Sequence, residues 1–134
     1  MTGKKKITRF LAAAALIIIA LLIVFNIIAN RIEKNFEALS DMPLEDIDIK
    51  DIDDGIYKGS YKAFPVAAEV EVRIREGEIT DVKITKHRQG QGKDAEAVID
   101  KVISEQTLDV DTISGATYSS IVILKAVENA LLQE

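Results

Sequence analysis

The run from Phe10 to Phe25 contains no polar side chain, and Ile27, Ile28 and Ala29 carry it past Asn26. Hydrocarbon offers nothing to an unpaired backbone amide, so a segment this apolar enters a membrane only as a helix. Twenty residues, 10–29, rise about 30 Å as a helix, which is the thickness of a bilayer core. A secretory leader is the rival reading, but its apolar stretch is usually ~7 to 15 residues and ends in a small-x-small site. The sequence IIANRIEK has no such site, so an uncleaved anchor is expected. Lys4, Lys5, Lys6 and Arg9 precede the run, against Arg31 and Lys34 after it. That bias predicts a cytoplasmic N-terminus and a domain on the far side of a cell membrane crossed once.

Charge divides the chain in the same place. Residues 1–40 hold six Lys/Arg and two Asp/Glu, a net +4, whereas residues 41–134 hold eleven and twenty, a net −9. An acidic domain repels nucleic acid and excludes it as a partner. With no cysteine, the chain can build no disulfide, iron–sulfur cluster or c-type haem linkage, and its single histidine gives no basis for a zinc site.

Behind the span, residues 30–50 read as a juxtamembrane helix, with Ile32, Phe36 and Leu39 on one side, broken at Pro43 and followed by an acidic linker. Seven acids and one lysine between Asp41 and Asp54 predict a solvated tether. Residues 51–134 read as one small domain. Gly59, between Tyr57 and Tyr61, marks a bulge or a close backbone approach in a first strand. Val66, Ala68, Val70, Val72 and Ile74 alternate with polar residues, which predicts a strand wet on one face. Glu76 and Gly77 turn it back into a strand carrying Ile79, Val82 and Ile84. Ile79 is out of step with the other two, so a bulge near Thr80 or Asp81 is expected. Ala95, Val98, Ile99, Val102 and Ile103 fall at helical spacing, as do Ile123, Leu124, Val127, Ala130 and Leu131. The fold class expected is α+β: a small antiparallel sheet with two helices packed on it, preceded by a single N-terminal transmembrane helix.

The stretch DTISGATYSS, Asp111–Ser120, opens the last helix. Ser114, Gly115 and Ala116 leave room for a tight turn, and Thr117, Ser119 and Ser120 bring hydroxyls to a helix start, where unpaired amides and the helix dipole favour an anion. Taken alone, these residues describe an ordinary hydroxyl cap as readily as a ligand site. A hydrolase built from Ser119 or Ser120 with His87 lacks both a GxSxG elbow and a second histidine.

The motif D-x-x-S-G-A-T at Asp111–Thr117 resembles the flavinylation motif of the FMN-binding domain family, which includes domains of sodium-translocating NADH:quinone reductase, of Rnf complexes and of extracytoplasmic flavin reductases. Further likeness lies in DGIYKGSY (Asp54–Tyr61), REGEITDVKI (Arg75–Ile84) and His87 with its glycine-bearing loop. The resemblance implies an extracytoplasmic flavoprotein in which FMN is esterified through its phosphate to the Thr117 hydroxyl by a separate flavin transferase. It implies that Ser114, Gly115 and Ala116 shape the turn and that Asp111 orients it or is read by the transferase. Tyr118, Ser119 and Ser120 stand at the helix start, and His87 and Gln89 lie near the flavin ring. The electron partners implied are redox proteins or the quinone pool. The alternative is a non-redox binding or adaptor module of the same fold.

Overall fold

The computed structural model describes residues 2–88 and 93–133, and the chain divides into two compact units, Met1–Lys34 and Asn35–Glu134. Helix α1, Thr2–Ser40, begins in the first unit and ends in the second. It is long and apolar enough to cross a membrane, with none of its apolar window buried. Within the first unit, Phe10, Leu16, Leu22 and Phe25 are all exposed, the pattern of a helix whose solvent is lipid.

The second unit is a three-stranded antiparallel sheet, ordered β1 (Gly55–Ala63), β2 (Val66–Arg75) and β3 (Glu78–Arg88), followed by α2 (Val98–Glu105) and α3 (Thr117–Leu131). The α+β expectation holds: α3 lies across β1 and β2 while α2 packs against β3. The alternation read in β2 is realised, with Val66, Ala68, Val70, Val72 and Ile74 buried and the residues between them exposed or half-exposed. These side chains meet Val98 and Val102 of α2 and Val122, Ile123, Ala126 and Val127 of α3 in one core. Glu76 and Gly77 both take positive φ, 54° and 73°, as a two-residue hairpin turn requires.

Two irregularities bend β3. Arg73 pairs with Asp81 but Ile74 pairs with Ile79, which leaves Thr80 as the extra residue. The bulge therefore falls where the broken parity put it, and it returns Ile79 to the core at 1% exposure beside Val82. A second irregularity, not anticipated, leaves Thr85 out of register between Lys86 and Ile84. Both threonines occupy their bulges in the same way, each hydroxyl donating back across the strand pair, Thr80 to the Arg73 carbonyl and Thr85 to that of Glu69. The outer edge at Ile79 is closed by Gln106, the left-handed residue (φ 54°) that ends α2. Its amide accepts from Ile79 N–H at 2.7 Å and donates to the Ile79 carbonyl at 2.8 Å, acting as a fragment of a fourth strand.

Gly59 is not a bulge, because the β1–β2 register runs without interruption. It is a close approach: a Cβ there would lie 2.2 Å from the Ala126 carbonyl and 2.3 Å from the Ala130 nitrogen. Nor is the acidic segment a free tether. Its acids reach water, but Ile49 is buried, and Leu44, Ile47 and Ile52 pack against the core. A buried ion pair on α3 holds it down. Lys125 donates to Glu128 and to the Pro43 carbonyl, 2.9 Å each, while Glu128 accepts from the Glu45 amide.

Candidate functional site

The turn before α3 is assembled from the residues the sequence singled out. Ala116 N–H donates to the Ile113 carbonyl at 2.9 Å, closing a four-residue turn in which Gly115 takes φ 79°. A Cβ at Gly115 would meet nothing within 4 Å, so glycine is required there by conformation and not by space. Ser114 and Gly115 are exposed at the apex. Asp111 is exposed, and its carbonyl receives the Lys101 ammonium at 3.1 Å.

Ser120 is fully buried and belongs to the frame of the turn. Its hydroxyl donates to the Ala116 carbonyl at 2.8 Å and accepts from Ile113 N–H at 3.1 Å, locking the turn to the first helical coil. Ser119 is buried at 5% exposure. With both serines inside, neither presents a hydroxyl to a ligand at the surface. Ser120→Ala keeps the volume but strands a buried amide, so an unfolding midpoint loss corresponding to about 1–3 kcal/mol is expected in urea titration.

Thr117 stands differently. It is the first residue of α3 and half-exposed, and the N-cap residue, Ala116, offers no side-chain cap. The side-chain hydrogen bonds around the turn are made by Ser120 and Tyr118, and none by Thr117 among the described residues. The first backbone bond of the helix runs from Ser120 N–H to the Ala116 carbonyl. The amides of Thr117, Tyr118 and Ser119 thus precede the helical ladder.

Tyr118 turns away towards the β1–β2 hairpin. Its ring stacks on Phe36 with centroids 5.9 Å apart, and its hydroxyl lies 2.8 Å from the Phe64 carbonyl and 3.1 Å from that of Ala63. Burial, reinforced by Tyr61, raises this hydroxyl above the ordinary tyrosine range and keeps it a donor.

A cavity of about 570 Å³ runs beside α3. Thr112 of the motif lines it, as do Ile121 and Leu124 of α3 and Leu39, Leu44 and Leu108 opposite. Thr117 is not itself among the lining residues; it stands one helical turn before Ile121, which is.

His87 lies at the same end of the sheet as the start of α3. It pairs with Ala68, which pairs with Tyr61, and this row shares the face covered by the helices. The His87 side chain is 3% exposed; Nδ1 meets the Glu96 carboxylate at 3.2 Å, and Nε2 has no partner among the described residues. Gln89, expected beside it, falls outside the described residues, as do Gly90 and Gly92. Glu96 was not singled out from sequence because its helix pattern marked it as a wet position. The one available signal was that the only histidine lay a short loop away from an acid.

The domain is thus a sheet with helices on one face, and its last helix starts without a side-chain cap. The model of the FMN-binding domain family matches residues 65–132, from the hairpin after β1 to the end of α3, with the whole Asp111–Thr117 motif inside. The chain belongs to that family. No curated protein and no solved structure matches it.

Proposed function

We propose that this chain is a membrane-anchored flavoprotein that carries electrons on FMN joined by a phosphoester to Thr117, with its domain on the extracytoplasmic side. The observation that carries the reading is the state of Thr117: a half-exposed residue whose hydroxyl makes no hydrogen bond among the described residues, at the first position of a helix that no side chain caps.

The residues fit the group. A phosphodiester at Thr117 keeps one negative charge, and the adjoining amides of Tyr118 and Ser119, at the positive end of the α3 dipole, stabilise it. Ligand cavities commonly measure about 300–1,000 Å³, and the 570 Å³ lined by Thr112 of the motif and by Ile121, one helical turn after Thr117, is of the size an aromatic ring needs. Gly115 holds the turn open so that a modifying enzyme reaches the hydroxyl, and exposed Asp111 and Ser114 are the side chains such an enzyme reads. The family resemblance assigns His87, and Gln89 outside the described residues, to the flavin ring. The bound flavin supplies one- and two-electron transfer, while the protein retains the cofactor and tunes it. Attachment is rational outside the cell, where a dissociated cofactor is lost to dilution. The flavin transferase is the maturation partner; redox proteins or the quinone pool exchange the electrons.

Wild-type protein co-expressed with an active flavin transferase is expected to keep yellow colour and flavin fluorescence through denaturing electrophoresis, and Thr117→Ala to lose both entirely. Colour released by denaturation from wild type would overturn the covalent link. The basic N-terminus predicts the side: protease added to intact spheroplasts should remove the domain and spare α1.

A further inference from the structure

The second unit leaves few large apolar side chains in water, and three of them gather in one place. Phe36, Met42 and Phe64 are 38%, 45% and 57% exposed. Met42 and Phe64 line one groove with Asn35, whose amide donates to the Phe64 carbonyl at 3.4 Å. Phe36 stacks on Tyr118, and the Tyr118 hydroxyl also binds the Phe64 carbonyl, so the tip of the β1–β2 hairpin and the last turns of α1 form one apolar prominence. Nothing in the core explains Phe64, which occupies a tight turn where polar residues are the usual choice.

Chain length says what this prominence meets. The apolar run of α1 ends at Ala29, and Asn35 follows six helical residues later, about 9 Å along the helix. The headgroup layer extends roughly 5–7 Å beyond the hydrocarbon core on each side. A residue whose carbonyl is bonded to Asn35, as that of Phe64 is, cannot lie far from that layer. Charges in the flanking sequence cancel in number, Arg31, Lys34 and Lys62 against Glu33, Glu37 and Asp41, so the attraction to lipid is apolar and not electrostatic.

We infer that Phe64, with Phe36 and Met42, docks the hairpin tip into the headgroup boundary of the membrane that α1 spans, and that this contact sets the orientation of the domain. The inference rests on reading α1 as the anchor, and it is independent of flavin. Its consequence is positional. Tyr118, the second residue of α3, is fastened to the docked hairpin, so the start of α3 faces the membrane and its lipid-soluble electron carriers, while the Gly55 end of the sheet points away.

The chain has no tryptophan, so single introductions report cleanly. Full-length, flavin-free Phe64→Trp, Ile56→Trp and Phe25→Trp proteins are reconstituted in phosphatidylcholine vesicles with brominated acyl chains. Ile56, at the opposite end of β1, is as exposed as Phe64 and serves as the distant control. Phe25→Trp and Phe64→Trp should both emit blue-shifted and lose most of their intensity, Phe64→Trp most strongly to bromines near the glycerol, and high salt should change neither. Ile56→Trp should stay red-shifted and unquenched. Phe64→Trp behaving like Ile56→Trp while Phe25→Trp is quenched would overturn the docking alone. An unquenched Phe25→Trp would remove the anchor and the docking together, leaving the attachment at Thr117 to its own test.

Discussion

Gly59→Ala is expected to destabilise the domain by about 3 kcal/mol or more, at the upper end of what overpacking produces. The added methyl would meet backbone, the Ala126 carbonyl at 2.2 Å and the Ala130 nitrogen at 2.3 Å, and no rotamer change can relieve it. Helix α3 must retreat from β1, loosening Val122, Ala126, Val127 and Ala130, all at 0% exposure, from the sheet. The entropy that alanine removes from the unfolded chain, worth roughly 0.5–1 kcal/mol, offsets little of this. For a domain of this size each kcal/mol lowers the melting midpoint by roughly 4–8 °C, so a fall of more than about 12 °C is expected. Urea unfolding should show a lower midpoint at unchanged slope. An unchanged midpoint would mean that β1 and α3 do not touch here.

Lys125→Met should have an effect of similar size. The Lys125 and Glu128 side chains are 6% and 5% exposed, and Lys125 also holds the Pro43 carbonyl. Removing the ammonium leaves a buried carboxylate supported, among the described residues, only by the Glu45 amide, and breaking one half of a buried pair typically loses about 3–5 kcal/mol. Replacing both partners by methionine should recover a substantial part, since the uncompensated charge then disappears. Non-additivity between the single and double variants, measured by urea unfolding, checks this. If Lys125→Met is as stable as wild type, the 43–45 segment is not held as described.

The sheet was legible because its signals are local. Alternation in β2 marks its buried face, and the parity break at Ile79 locates the Thr80 bulge, since a half-buried strand cannot turn one apolar side chain to water without an extra residue. Gly59 announced a close approach without naming the neighbour. The Thr85 irregularity left no such mark, because Ile84 and the polar residues after it keep an acceptable pattern in either register. The acidic segment was misleading for a physical reason: its composition is that of a tether, yet Ile47, Ile49 and Ile52 recur among the acids and find the core. The buried pair is present in the sequence as Lys125 and Glu128, opposite charges three apart, but the helical spacing of the apolar residues does not reveal that both are buried.

At the site, the turn followed from Gly115 and the small residues around it. The separation of its hydroxyls did not. Ser119, Ser120 and Thr117 look equivalent in sequence, and only the helix direction decides that the two serines turn inward while Thr117 keeps an open face. His87 could be named as a candidate, but its pairing with Glu96 depends on how the chain returns after β3.

The most direct test of the account is mass mapping of transferase-matured wild-type protein. Trypsin cleavage after Lys101 and Lys125 yields residues 102–125, which contain the hydroxyls of Ser104, Thr107, Thr112, Ser114, Thr117, Tyr118, Ser119 and Ser120. This peptide should carry the mass of FMN less one water, fragment ions should assign it to Thr117, and Thr117→Ala should yield only the bare peptide. An adduct on another of these hydroxyls, or one that persists in Thr117→Ala, would contradict it.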